Sequence, residues 1–125
     1  MGVLKGHGSR ITVLEAVSND CVVTGSRDGI LMIWDIETGD GKPLNGRSGE
    51  ITSLAILKGG WAVSGGTDSL LSLWDISPSR PTFRQEICRF GVDATITCMV
   101  APPESGLLIA GDSIGGVHWF QVLVQ

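Results

Sequence analysis

"GSRDGILMIWDIETGD", residues 25–40, holds an Asp-Gly pair, an apolar run and a Trp-Asp pair, and "GGTDSLLSLWDISPSR", residues 65–80, repeats that order. Forty residues separate the matching positions Gly25/Gly65, Asp28/Asp68, Leu31/Leu71, Trp34/Trp74, Asp35/Asp75 and Ile36/Ile76. The match runs upstream without a gap through Leu4/Leu44, Gly6/Gly46, Ile11/Ile51, Thr12/Thr52, Leu14/Leu54 and Val23/Val63. Self-similarity at such a period marks a stack of supersecondary units, each of which needs its neighbours to bury its faces.

A third, degenerate copy follows the link "SPSRPTFRQEICR", residues 77–89, which is expected to form a solvent-facing strand and loop. In "GVDATITCMVAPPESGLLIAGDSIGGVHWFQV", residues 91–122, Ile96-Thr97 stand for Ile51-Thr52, Gly111 for Gly65, Phe120 for Trp74 and Gln121 for Asp75. Where Asp28 and Asp68 stood, this copy has Ile114. The units run over about 4–43, 44–88 and 89–125, within one domain spanning 1–125.

Each unit reads as short strands. "ITVLEAV", "CVVTGS" and "ILMIWDI" are rich in β-branched and aromatic residues and are separated by "SND" and "RDG". Asp28-Gly29 is the pair a tight hairpin demands, because the turn needs a positive φ that glycine adopts without strain. The fold class is therefore all-β, with the second and third strands of each unit antiparallel neighbours.

Composition narrows the functions. At 125 residues with 42% hydrophobic content, the chain has enough apolar surface for one buried core. A net charge of -4 offers no basic footprint for nucleic acid or anionic lipid. Cys21, Cys88 and Cys98 lack C-x-x-C spacing, which argues against a disulfide framework and a zinc site, so no metal and no cofactor is expected. The first residues, "MGVLKGHGSR", lack the apolar stretch of a secretory signal, and the expected location is the cytoplasm or nucleus.

Other motifs carry less. "GDGKP", residues 39–43, has Ile36 and Pro43 where a phosphate loop needs glycine and Ser/Thr, and it reads as a loop between repeat units. His118 has no partner at metal-ligand spacing and reads as a structural or surface residue. Arg80, Arg84 and Arg89 read as a solvated loop face.

A Gly-His, a strand, a second strand ending in S/T-G-x-x-D and a third ending in Trp-Asp resemble the WD-repeat β-propeller family. The first copy has Gly6-His7, Thr24, Asp28 and Trp34-Asp35 in place. The second keeps Ser64, Asp68 and Trp74-Asp75, with Arg47 where the histidine is expected. The resemblance implies a partial propeller of three four-stranded antiparallel blades, the last completed by a strand from elsewhere. It also implies a buried polar network of His7, Thr24, Asp28 and Trp34, echoed by Ser64, Asp68 and Trp74. A His, a hydroxyl and an Asp also suggest a hydrolase triad, but no oxyanion hole is signalled and the second copy has lost its histidine. An enzyme is not expected.

In this family partners commonly dock where the first strand begins and the turn between strands two and three protrudes. Carried over, that implies Arg10, Thr12 and Arg27 in the first copy, Glu50, Thr52 and Thr67 in the second, and Thr95, Thr97 and Ser113 in the third. Arg10 and Arg27 are the expected anchors, since a guanidinium offers a planar fork of donors to an acidic or phosphorylated segment. The expected function is a protein-interaction scaffold that binds a peptide or protein partner. The alternative is a nucleic-acid-binding or hydrolytic module. Three blades are too few to close a ring. The chain is accordingly expected to be part of a longer propeller or to self-associate through open blade edges.

Overall fold

The computed structural model describes residues 2–46, 49–102 and 106–121. Three antiparallel sheets follow one another along the chain. The first pairs β1 (Ile11–Ser18), β2 (Cys21–Ser26), β3 (Leu31–Asp35) and β4 (Gly41–Pro43) in that order. The second repeats the meander with β5 (Ile51–Leu57), β6 (Trp61–Gly66), β7 (Leu70–Asp75) and β8 (Glu86–Gly91). The third contains β9 (Ile96–Val100), β10 (Leu107–Asp112) and β11 (Val117–Gln121). These are blades of a partial propeller, open rather than closed into a ring. Among the described residues there is no helix.

The repeat also holds in the register. Gly25 faces Leu31 across β2 and β3, Gly65 faces Leu71 across β6 and β7, and Gly111 faces Val117 across β10 and β11. Blades stack face to face, so strands in the middle of the stack are buried on both sides and lose the simple alternation of a half-exposed strand. On β7, in the middle blade, Leu71, Ser72, Leu73 and Trp74 are all buried. Leu31 and Ile33 join Ile51, Leu54 and Trp74 in an apolar cluster between the first two blades. Leu71 and Leu73 meet Ile96, Leu108 and Ala110 between the second and third.

Two glycines set how closely the blades approach. A Cβ on Gly25 would stand 2.7 Å from Ile51 Cγ2, and one on Gly65 would stand 2.9 Å from Ile96 Cβ. Ile51 and Ile96, both fully buried, thus rest on bare backbone of the preceding blade. Any side chain at either glycine would push the stack apart.

Two readings of the sequence need correction. "GDGKP" is not a loop throughout, because Gly41–Pro43 is the outer strand β4, paired with Met32–Trp34. Gly41 can lie over the Trp34 ring because it lacks a Cβ, which would stand 2.4 Å from Cε3. Pro43 is tolerated because β4 is an edge strand, where a missing N–H costs no ladder bond. Nor do the three arginines form one solvated loop face, since only Arg89 is exposed and it lies on β8. Arg80 pairs with Asp75, Arg84 donates to the Pro43 carbonyl across the blade boundary at 3.0 Å, and Arg89 pairs with Glu86. Residues 2–10 carry no strand.

Candidate functional site

Each blade holds an internal polar strut. In the first, the Trp34 indole N–H donates to Thr24 Oγ1 at 2.8 Å, and His7 Nε2 lies 2.6 Å from the same oxygen. With Trp34 donating to Thr24 Oγ1, the imidazole tautomer decides whether Thr24 donates to His7 Nε2 or accepts from it. Desolvation holds the His7 pKa below its ordinary value, although the charge of Asp28 pulls it the other way. Nδ1 is buried without a hydrogen-bond partner among the described residues. Asp28 Oδ1 is taken by the Ser26 hydroxyl and by the Ile30 amide at 3.3 Å, so this carboxylate shapes the β2–β3 turn.

The second blade reaches the same end with different parts. Trp74 donates to Ser64 Oγ at 2.9 Å, and Asp68 Oδ1 accepts from the Leu70 amide at 3.1 Å. Arg47 lies outside the described residues. The backbone amide of Gly49 donates to Asp68 Oδ2 at 3.0 Å, tying the incoming segment to the turn.

In the third blade the sequence reading missed a pair. Asp112 Oδ2 lies 2.7 Å from His118 Nε2, while its Oδ1 accepts from the amides of Gly116 at 2.7 Å and Ile114 at 3.0 Å. The His118 bond first, then the Gly116 amide, hold the Asp112 carboxyl below the usual carboxylate range. Asp112 sits opposite Ile96, as Ser26 sits opposite Ile11. The turn carboxylate has therefore moved two residues back along the chain. Asp112 stands in "GDSIGG" two residues before Ile114, the position aligned with Asp28 and Asp68.

The residues expected to meet a partner gather at the same end of the blades. One backbone bond recurs: Arg27 N to Arg10 O at 2.9 Å, Thr67 N to Glu50 O at 3.1 Å and Ser113 N to Thr95 O at 2.9 Å. Each bond sets the residue before the inner strand beside the residue of the hairpin turn. Across the first blade boundary, Arg27 Nε stands 3.6 Å from Glu50 Oε1, with the side chains 64% and 39% exposed, a geometry too solvated to add much stability. Arg10 and Thr67 are exposed as well.

The threonines on the inner strands are engaged differently. Thr12 donates to the Ile51 carbonyl and Thr52 to the Ile96 carbonyl, each reaching the next blade. Thr97, which is exposed, contacts the Gly111 carbonyl of its own blade at 3.3 Å. No part of this arrangement resembles a metal centre: among the described residues no group of three His, Cys, Asp or Glu side chains could hold an ion.

Two four-stranded meanders and a third of three described strands, stacked through their inner strands and with a Trp-hydroxyl strut in the first two, define a β-propeller architecture. Residues 1–35 match the family model described as WD40: WD domain, G-beta repeat. Among solved structures, the chain is similar to that titled "Structure of U3-55K", with a TM-score of 0.85 and 19% identity over 97% of this chain and 38% of that one. The RRP9 WD40 repeats give a TM-score of 0.82 and 20% identity, covering 97% of this chain and 38% of theirs. The β-propeller domain of Cps50 (Swd1) from Myceliophteria thermophila gives 0.78 and 20%, covering 94% and 37%. No curated protein sequence matches the chain. The chain spans 37–38% of the length of these three structures. Together the match in the first repeat and the propeller neighbours support a WD-repeat family.

Proposed function

We propose that the chain is a non-catalytic protein-interaction segment that captures a peptide or protein partner at the end of the blades carrying Arg10, Arg27, Glu50 and Thr67. The WD40 propeller fold generally mediates protein–protein interaction, which supports a binding role over a hydrolytic or nucleic-acid-binding one. The reading rests on the recurring backbone bond that sets Arg10 beside Arg27 and Glu50 beside Thr67, a row of exposed side chains on rigid strand ends. Arg10 and Arg27 offer two guanidinium forks to an acidic or phosphorylated segment. Thr12, Thr52 and Thr97 flank that row on the inner strands, where Thr12 and Thr52 steady the blades beneath it.

The test is a pull-down with the Arg10→Glu/Arg27→Glu double variant, with circular dichroism as the control for folding. Partner capture should fall while the spectrum stays that of the parent. Capture unchanged by both substitutions would move the contact surface elsewhere.

A further inference from the structure

At the opposite end of the blades, a cavity of about 330 Å³ opens between the first blade and the link that follows β7. Its apolar walls are Ile33, Trp34, Pro78 and Phe83, and its rim carries three carboxylates, Asp20, Asp35 and Asp40, against one ammonium, Lys42. Among the described residues, none of the three carboxylates takes part in an ion pair. Both walls are built from blades the chain itself contains.

The second blade shows what its own version of this place holds. Arg80 lays its guanidinium 4.0 Å over the Trp61 ring, with Nη1 3.0 Å from Asp75 Oδ1 and 3.2 Å from the Gly60 carbonyl. Forty residues earlier the chain has Cys21 for Trp61, Asp35 for Asp75 and Asp20 for Gly60. In place of Arg80 stands Asp40. The first blade thus keeps the acceptor carboxylate, adds two more, and has replaced the cation that serves it in the second.

We infer that this cavity takes an arginine side chain from a partner polypeptide, in the position that Arg80 fills within the second blade. The guanidinium is held by Asp35 and Asp40, its stem lies along Trp34 and Ile33, and an adjacent apolar residue of the partner rests on Phe83 and Pro78. The volume is at the small end of ligand pockets, suited to one long side chain and part of its neighbour. Burial first, then the charges of Asp20 and Asp35, push the Cys21 thiol up. The site is separate from the Arg10–Arg27 end and prefers the opposite charge.

The test is a titration of the isotopically labelled full chain with the peptide acetyl-Leu-Arg-Leu-amide, followed by amide chemical shifts. Saturable shifts are expected at Asp35, Gly39, Asp40 and Lys42, with the citrulline analogue binding at least about fivefold more weakly because it lacks the charge. Asp40→Arg supplies the guanidinium from within the chain and should abolish the shifts. Asp35→Asn/Asp40→Asn, which keeps the turn acceptors, should weaken binding by at least about fivefold. Equal binding of the citrulline peptide, shifts unaffected by Asp40→Arg, shifts confined to the Arg10–Arg27 end, or no saturable shift would overturn the assignment.

Discussion

Thr12 gives its hydroxyl proton to the carbonyl of Ile51, across the boundary between the first and second blades, and Thr52 repeats the contact to Ile96 across the next. The receiving isoleucines are fully buried, so their carbonyls have little recourse to water if the donor is removed. Thr12→Val and Thr52→Val keep the β-branched shape and delete only the hydroxyl. Each should lower stability by about 1 to 3 kcal/mol, read as a drop in the urea midpoint with an unchanged slope.

The two tryptophan struts carry more. Trp34 and Trp74 are each at least nine-tenths buried, and both indoles donate to a buried hydroxyl. Trp34→Ala and Trp74→Ala should each cost about 3 to 5 kcal/mol, a large share of what a domain of this size possesses. Trp34→Phe separates the two contributions, since it retains most of the packing and removes only the indole donor to Thr24 Oγ1, which keeps its contact with His7. A thermal midpoint within a degree of the parent after Trp34→Ala would refute the strut.

Acidification should weaken the fold in two stages. The His7 pKa is lowered by desolvation, so the unfolded chain binds a proton more readily than the folded one. Stability from this group is complete above the ordinary value near 6.5 and declines as pH falls from there toward the folded value. Asp75 acts lower down. Desolvation raises its pKa, but hydrogen bonds from Thr82, the Ser77 amide and Arg80 outweigh it and leave the carboxyl below its ordinary range. Its contribution is present above the unfolded carboxylate pKa and is lost as pH falls through the folded one. Midpoints measured from pH 8 to pH 3 should fall in both windows, and His7→Gln should flatten the upper one alone.

Arg80 should behave as a structural residue. It neutralises a fully buried Asp75 and also donates to the Gly59 and Gly60 carbonyls. Arg80→Ala strands that carboxylate and should cost about 3 kcal/mol. Arg80→Lys should recover part of it, because an ammonium can pair with Asp75 but cannot spread over the Trp61 ring while reaching both carbonyls.

The hairpin turns give a paired test. Gly29 has φ 85°, and the matching Ser69 adopts φ 61° with a side chain that disfavours that region. Gly29→Ala should destabilise by about 1 kcal/mol, and Ser69→Gly should be neutral or stabilise by up to about 1 kcal/mol. Equal losses from the two would show that turn strain is not what separates them.

The period of forty residues and the strand pattern determined an all-β repeat directly, because each is a local signal repeated in one chain, and the Trp-Asp endings carried the resemblance that implied blades. The glycines at 25, 65 and 111 were legible as repeat markers, yet that Gly25 and Gly65 serve as seats for Ile51 and Ile96 depended on which strands meet across a blade boundary. The arginines at 80, 84 and 89 looked alike as exposed charge, and tertiary contacts gave each a different partner. Asp112 could be matched to its role only once β10 and β9 were in register, because a carboxylate moved by two residues reaches the same turn amides from a different place in the chain. Period and residue type are properties of a segment and can be read along it. Which donor meets which acceptor across blades depends on distances that exist only once the blades are stacked.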